Sequence, residues 1–332
     1  MRETAVREGH QIFTNELARF AEQTGDPRII ALVDEVQGPL RVAVRGRDGV
    51  GRGTVESALA GAGITVADDA TADVDVLVVA EALKPEDRAM LRGRPTLLVL
   101  NKADLAGFGA GGPIAVADRR AAEIRALTGV PTVSMVGLLA VAAMDDELVA
   151  GLHTLTAEPA DLTSTDRFLS TGHSLARGVR ARLLDTLDLF GIAHCVLALR
   201  QGTDGAALPV VLRRLSRIDP VLARIAATGA EVRYRRVRSA LVELRTMAAR
   251  GTPAVTQFLS GDDAVLAAMA AAVDVVQAEG LTVEAEDQPS AHLRRALHWH
   301  RYSRGPVNPI HRDCGADICR GSLRLLRRTG PR

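Results

Sequence analysis

Two short segments carry residues whose types and spacing could bind a nucleotide. The first follows an apolar run and reads Gly46-Arg47-Asp48-Gly49-Val50-Gly51-Arg52-Gly53-Thr54. It nearly fits the phosphate-binding pattern G-x-x-x-x-G-K-[ST], in which glycines let the backbone wrap an oxyanion and a helix N-terminus offers free N–H groups. Glycine-rich turns are common, so the loop alone predicts phosphate binding only weakly. The predicted phosphate-binding residues are Gly46, Gly49, Gly51, Arg52, Gly53 and Thr54.

The second segment is Asn101-Lys102-Ala103-Asp104, directly after the apolar run PTLLVL. Its spacing matches the guanine-recognition motif N-K-x-D. The Asp104 carboxylate can accept hydrogen bonds from guanine N1–H and the N2 amino group, a donor pair that adenine lacks. Asn101 can brace the loop and the other edge of the base, and the stem of Lys102 can pack over the base and sugar. Lys102 is one of only two lysines in an arginine-rich chain, which favours a specific role for it.

The surrounding apolar segments predict the elements that would position these motifs. Strands are expected at 41–44, 64–67, 75–80, 95–100 and 130–136, with helices at 54–60, 84–92 and 117–127. This alternation indicates an α/β fold with a doubly wound, mostly parallel sheet of about five strands. Because such sheets bind ligands at the carboxyl ends of their strands, we expect strand 41–45 to be central and Asn101 to lie on the same edge as the Gly46 loop.

Four regions are expected along the chain. Residues 1–38 form helices that pack with a helical bundle at 166–280, because neither short helix can bury its apolar face alone. The nucleotide-binding domain occupies 39–160, and 281–332 is expected to be an irregular, basic C-terminal tail.

Composition limits the class of protein. The 332 residues are 47% apolar with a net charge of +1, which suits two domains and gives no general attraction to nucleic acid. No apolar run approaches the ~20 residues of a membrane span, and the N-terminus lacks a signal-peptide pattern, so a cytoplasmic protein is expected. Peripheral membrane contact through the basic face at 233–238 is an alternative without further support.

The two motifs and their surroundings resemble a known family. VAVRGRDGVGRGTVESAL is similar to the opening of Era-like and dynamin-like bacterial GTPases, and DVDVLVVAEALKPEDRAML…RPTLLVLNKADL is similar to their later strand, helix and base-recognition segment. The chain therefore resembles a degenerate, actinobacterial-type P-loop GTPase. The resemblance reaches about Ala249 and is more specific in the nucleotide-binding part. It implies a P-loop NTPase fold with GTP or GDP as ligand.

The departures from the family lie on the phosphate side. Arg52 replaces the family's lysine, and Gly53 replaces the Ser/Thr that binds Mg²⁺, with Thr54 one residue later. The segment before Asn101 is too short to hold a switch threonine and a D-x-x-G. Mg²⁺ is therefore not expected to bind well.

Two remnants of the family's motifs are identified. Asp68 or Asp69 is a candidate for what is left of the switch aspartate, although no glycine follows three residues on. The last base-side motif aligns with Val136-Gly137, where a backbone N–H could still contact the base.

An intact base site beside a damaged phosphate site implies a guanine-nucleotide-binding protein with weak or no GTP hydrolysis and a regulatory or assembly role. The alternative is a nucleotide-free pseudo-GTPase scaffold that partners an intact dynamin-like GTPase or another copy of itself. No catalytic residue can be assigned from the sequence.

A second polar group lies near the C-terminus, with the spacing H-x-H…H-x-x-C-x-x-x-x-C. Its members are His298, His300, His311, Cys314 and Cys319. Four of them could ligate zinc, but the spacing matches no standard zinc finger and two prolines interrupt it. Packed or solvated side chains are expected more than a metal site, and the three cysteines of the chain do not make a disulfide framework.

Overall fold

The computed structural model describes residues 5–91, 93–107 and 109–329. This part of the chain is mixed α/β and mostly helical, with five strands in one all-parallel sheet of order β2-β1-β3-β4-β5. The strands are β1 (Arg41–Arg45), β2 (Thr65–Val66), β3 (Val74–Ala80), β4 (Thr96–Asn101) and β5 (Thr132–Ser134).

The helices of the first half are mostly short. They are α1 (Ala5–Thr24), α2 (Pro27–Gln37), α3 (Arg52–Gly61), α4 (Pro85–Ala89), α5 (Gly112–Thr128), α6 (Gly137–Ala140), α7 (Asp146–Ala157) and α8 (Thr165–Ser170). The second half is helical throughout. It contains α9 (Arg177–Arg200), α10 (Leu208–Ser216), α11 (Ile218–Thr228), α12 (Ala230–Ala249), α13 (Pro253–Ser260), α14 (Asp262–Ala278), α15 (Pro289–Ser303) and α16 (Pro309–Thr329). Single 3-10 turns lie at Ala103–Leu105 and Gly205–Ala207.

Valine and leucine build the middle of the sheet. β3 and β4 are buried along nearly their whole length, as is usual for parallel strands covered on both faces. The prediction of about five parallel strands is therefore confirmed. The middle strand is β3 rather than β1, because only the two-residue β2 lies beyond β1 on its other side.

The order of the strands creates a switch point after β1. The chain leaves β1 through α3 to reach β2 on one side, and it then returns to place β3 on the other side. Parallel sheets bind ligands in the crevice at such a point, outside the carboxyl ends of the strands. Arg45 pairs with Leu77 and Ala80 pairs with Asn101, so the ends of β1 and β4 point to the same edge.

Residues 41–224 form one compact unit, which contains the sheet. Its core includes Leu77 and Leu98 of the sheet together with Leu183 and Leu187 of α9. Residues 166–280 were expected to form a separate bundle, but α9 and α10 pack into the same core as the sheet. The apolar stripe of α9 is recognisable from the sequence, whereas its packing partner is not.

The second compact unit is helical and combines residues 5–40 with 225–329. Its core joins Phe13 and Leu17 of α1 to Tyr234 of α12 and Trp299 of α15, and α1 also packs on α14. The expectation of an irregular tail at 281–332 is corrected, because α15 and α16 occupy most of this range. Ile318 of α16 is fully buried in the core. One apolar face is therefore enough to pack this helix into the unit, despite the many arginines of the segment.

Among the described residues, no helix is both long enough and apolar enough to cross a membrane.

Candidate functional site

The glycine-rich loop between β1 and α3 has a backbone that its glycines make accessible. Gly49 and Gly51 have φ of 82° and 80°, in the left-handed region that residues with a Cβ rarely adopt. A Cβ on Gly46 would lie 2.6 Å from the Val78 carbonyl oxygen, so the loop runs directly against β3. Gly51 is the N-cap of α3, and the helix begins at Arg52. The loop thus ends at the N-terminus of a ten-residue helix with its first N–H groups unpaired.

Asn101, the last residue of β4, ties this loop to a second one. Its Nδ2 donates to the Val50 carbonyl oxygen at 2.9 Å, and its Oδ1 accepts the Gly137 N–H at 2.9 Å. The side chain is 3% exposed, and both bonds are buried. The prediction that Asn101 lies at the same edge of the sheet as the Gly46 loop is confirmed.

Gly51 and Asn101 fit tightly against each other. A Cβ added to Gly51 would lie 2.5 Å from Asn101 Nδ2, closer than real Cβ atoms approach. The loop therefore requires glycine at this position for two separate reasons, the left-handed φ and the space taken by the amide.

The other residues of the N-K-x-D segment face solvent to different degrees. Lys102 is exposed and has φ 58°, while Asp104 is half-buried in the 3-10 turn Ala103–Leu105. Burial raises the pKa of the Asp104 carboxyl above its ordinary value, and the nearby Asp188 carboxylate adds to this effect. Asp188 lies at a break in α9, with φ 52° and ψ 175°, and its Oδ1 accepts the Leu189 N–H at 2.6 Å. No pattern in the sequence identified this second carboxylate.

The backbone N–H groups of Val136 and Gly137 have partners inside the protein. Val136 donates to the Ser216 carbonyl at 3.0 Å, and Gly137 donates to Asn101 Oδ1. The contact with a base that was predicted for these two N–H groups would therefore displace an internal hydrogen bond. Ser216 lies at the end of α10, far along the chain, and no local pattern identifies it as the partner.

Two arginines near the loop are held by buried aspartates. Arg47 forms a two-point contact with Asp87, with Nε–Oδ1 at 2.7 Å and Nη2–Oδ2 at 3.2 Å, and Asp87 is fully buried. Arg45 lies 3.2 Å from Asp75, which is 1% exposed. Arg52, by contrast, is exposed at the start of α3. Neither aspartate partner was identified from the sequence.

A polar cavity of about 430 Å³ lies at the carboxyl end of β1. Arg52 and Gly46 line it, together with Glu56 of α3 and with Asp68 and Asp69, which follow β2. The candidate switch aspartates and Arg52 of the glycine-rich loop therefore share one cavity. Asp69 also forms ion pairs with Arg94 and, at 3.7 Å, with Arg45. Thr54 is half-buried in the first turn of α3, and Gly53 is exposed.

The histidines and cysteines near the C-terminus are not assembled into a site. His298 and His300 are exposed on α15, whereas Cys314 is buried in the helical core. His311 Nδ1 lies 2.7 Å from the Tyr302 hydroxyl oxygen. Among the described residues, no group of three or more His, Cys, Asp or Glu side chains is placed to hold a metal ion.

No family model, no curated protein and no solved structure matches this chain.

Proposed function

We propose that this protein binds guanine nucleotides with a P-loop-type site and hydrolyses GTP slowly or not at all, in a regulatory or assembly role. The observation that carries the proposal is the double hydrogen bond of Asn101, to Val50 in the glycine-rich loop and to Gly137 after β5. A nucleotide has a phosphate end and a base end, and this side chain fixes the two loops that would hold them. The resemblance to Era-like and dynamin-like GTPases supports the same assignment.

The phosphate end would lie on the loop that closes onto α3. The left-handed glycines at 49 and 51 allow backbone N–H groups to face an anion, and the N-terminus of α3 adds its own free N–H groups. Arg52 is exposed there and supplies a positive charge. The arginines at 45 and 47 are engaged by Asp75 and Asp87, so their charge is largely neutralised within the fold.

The base end would be read by Asp104. Its carboxylate accepts from the two donors of the guanine edge, and the aliphatic stem of Lys102 covers the ring. Because the N–H groups of Val136 and Gly137 already have partners, fewer protein donors remain for the base carbonyl. We therefore expect guanine selectivity together with only moderate affinity.

Weak hydrolysis is expected because the residues around the phosphates do not provide for Mg²⁺ or for an attacking water. Position 53 offers no hydroxyl for Mg²⁺, and only residues 67–73 join β2 to β3, which is little room for a segment that positions water. A cytoplasmic location is part of the proposal, since that is where guanine nucleotides are abundant.

The test is calorimetric titration of the purified chain with GDP, GTP and ADP. We expect GDP to bind at least about tenfold more tightly than ADP, because two charge-assisted hydrogen bonds are lost with adenine. Asp104→Ala should reduce the ratio to near one. Glu123→Gln, an exposed change on α5, serves as the matched control and should leave the ratio unchanged. Equal affinity of the unaltered protein for GDP and ADP would overturn the proposal.

The N–H groups of Val136 and Gly137 both donate to acceptors inside the protein. This observation favours a second candidate, a nucleotide-free scaffold that pairs with an intact dynamin-like GTPase or with itself. This candidate predicts no heat with any of the three nucleotides. It also predicts that Asp104→Ala leaves every property of the protein unchanged except local stability.

A further inference from the structure

The helical unit holds a cavity of about 470 Å³ between α1, α14, α15 and the segment 283–287. This volume is within the range of small-molecule sites. One part of its wall is apolar and comes from Ile12, Leu266, Met269, Val273 and Leu325. The cavity is unrelated to the nucleotide motifs, which lie in the other unit.

A buried arginine lines the polar part of the same cavity. Arg295 is 4% exposed, and its guanidinium donates to Ser322 Oγ at 2.9 Å, to the Glu284 carbonyl oxygen at 2.6 Å and to His292 Nδ1 at 2.7 Å. All three partners are uncharged acceptors. Burial lowers the pKa of this guanidinium from its ordinary value, although the nearby Glu284 and Asp287 carboxylates oppose the shift. A buried cation without a direct carboxylate hydrogen bond would gain from an anionic ligand.

His292 adds a donor beside the guanidinium. Since Nδ1 accepts from Arg295, the neutral ring carries its proton on Nε2. The ring is 1% exposed, and Nε2 is buried without a hydrogen bond of good geometry. The group close to it is Asp287, with Oδ1 3.0 Å from Nε2, but the Asp287 side chain is itself 81% exposed. This carboxylate can turn into solvent at little cost and leave Nε2 open to a ligand.

The other acidic residues of the wall are directed elsewhere. Glu284 and Glu286 both form ion pairs with Arg294, which is largely exposed. The buried Asp274 accepts the His10 N–H at 3.0 Å. These contacts reduce the repulsion that an anion would meet at the polar part of the cavity.

We propose that this cavity binds a small aliphatic carboxylate. The ligand's carboxylate lies over Arg295 and His292, in the place that Asp287 takes in the free protein, and its alkyl chain packs on the apolar wall. Each methylene removed from water strengthens binding by about fourfold, so affinity rises with chain length until the wall is covered.

The test uses calorimetry of the full chain with octanoate, and with octylammonium and octanamide as ligands of matched length. We expect octanoate to bind at least about tenfold more tightly than octylammonium, and octanamide to lie between them. Hexanoate should bind more weakly than octanoate.

Asp287→Asn distinguishes a specific carboxylate site from general apolar binding. The side chain is exposed, so the variant should fold, as a thermal melt will verify. Removing the competing charge should strengthen octanoate binding about fivefold. Glu243→Gln, an exposed change on α12 that does not line the cavity, is the matched control and should change it less than twofold.

Three results would overturn the proposal. They are no heat with octanoate up to about 5 mM, tighter binding of octylammonium than of octanoate, and unchanged or weaker octanoate binding by Asp287→Asn. Any of them would assign the polar groups of this cavity to stabilising the fold alone.

Discussion

Asn101 Nδ2 lies 2.9 Å from the carbonyl oxygen of Val50, so the last residue of β4 holds the glycine-rich loop that follows β1. The two residues are far apart in the chain, and both are buried. Because the same amide also accepts the Gly137 N–H, one side chain determines the relative position of two loops. The stability of this edge of the sheet and its capacity to bind a ligand should therefore depend on the same residue.

Replacing Asn101 by alanine should cost about 2–4 kcal/mol in the free energy of unfolding, because the buried Val50 carbonyl and Gly137 N–H would both lose a partner. Guanine nucleotide affinity should fall with it. Urea unfolding measures the first effect and calorimetry the second. Asn15→Ala, whose side chain is exposed on α1, should change neither. A loss of less than about 0.5 kcal/mol would mean that water replaces both hydrogen bonds.

The substitutions Gly51→Ala and Gly49→Ala form a matched pair that tests the contact between position 51 and Asn101. Both glycines have φ near 80°, so each substitution carries a similar backbone cost of about 1 kcal/mol. A Cβ at position 49 meets nothing within 4 Å, whereas at position 51 it would lie 2.5 Å from Asn101 Nδ2. Gly51→Ala should therefore be more destabilising by a further ~1–3 kcal/mol. Equal midpoints for the two variants in urea would show that the Asn101 amide moves aside freely.

GDP and GTP should bind within about tenfold of each other, because in the proposed site neither Gly53 nor the short segment 67–73 is expected to contact a third phosphate. Omitting Mg²⁺ should change either affinity little, because Gly53 has no hydroxyl. Arg52→Lys should not restore hydrolysis, since Lys does not supply the missing segment that positions water. A phosphate-release assay checks this, and robust Mg²⁺-dependent turnover by the unaltered chain would contradict the proposed weak hydrolysis.

Guanine binding should weaken as the pH falls, and the loss should begin at a pH above the usual titration range of an aspartate. The reason is that burial and Asp188 raise the pKa of Asp104, and the protonated carboxyl cannot accept both hydrogen bonds from the base. Asp188→Asn removes one cause of the shift, so the loss of GDP affinity should move to lower pH. Titrations at a series of pH values measure this. An unchanged acid limit in the variant would mean that Asp188 does not act on Asp104.

His10 should make the helical unit sensitive to acid. Burial, followed by the charges of Arg233 and Arg236, lowers its pKa from 6.5 to about 4. Between these two pH values the unfolded chain binds more protons than the folded one. The stability that depends on neutral His10 is therefore fully present above pH 6.5 and is lost as the pH falls toward 4. The loss should be about 2 kcal/mol after allowance for partial exposure. Thermal melts of His10→Gln should show a shallower decline over this range, and parallel curves would exclude His10 as the cause.

Patterns within a few residues predicted much of the sheet and of the candidate site. The runs that became β3 and β4 are almost purely apolar, and their strands begin and end within about a residue of the predicted positions. The position of Asn101 at the edge of the sheet that carries the Gly46 loop followed from its place directly after such a run. In each case the signal lies in the spacing of neighbouring residues.

What could not be predicted depends on pairs that are distant in the chain. The Val136 N–H donates to the Ser216 carbonyl, and Arg47 donates to Asp87, which lies 40 residues further along the chain. The C-terminal range was expected to be irregular because its arginines suggest solvation. Its burial instead depends on how the apolar face around Ile318 meets other helices, which no local pattern encodes.

The helical unit is built from the two ends of the described chain, with all of residues 41–224 inserted between them. At a synthesis rate of about 5–20 residues per second, the first two helices wait on the order of ten seconds or more before their packing partners leave the ribosome. During this interval the apolar faces around Phe13 and Leu17 lack the cover of α12 and α14, while the sheet unit is being completed. Folding of the inserted unit would also limit the distance between Leu40 and Ile225, the residues that flank it. The effective loop that must close before the late helices can pack on the early ones would then be shorter. The order of events at the ribosome is therefore part of what this topology requires.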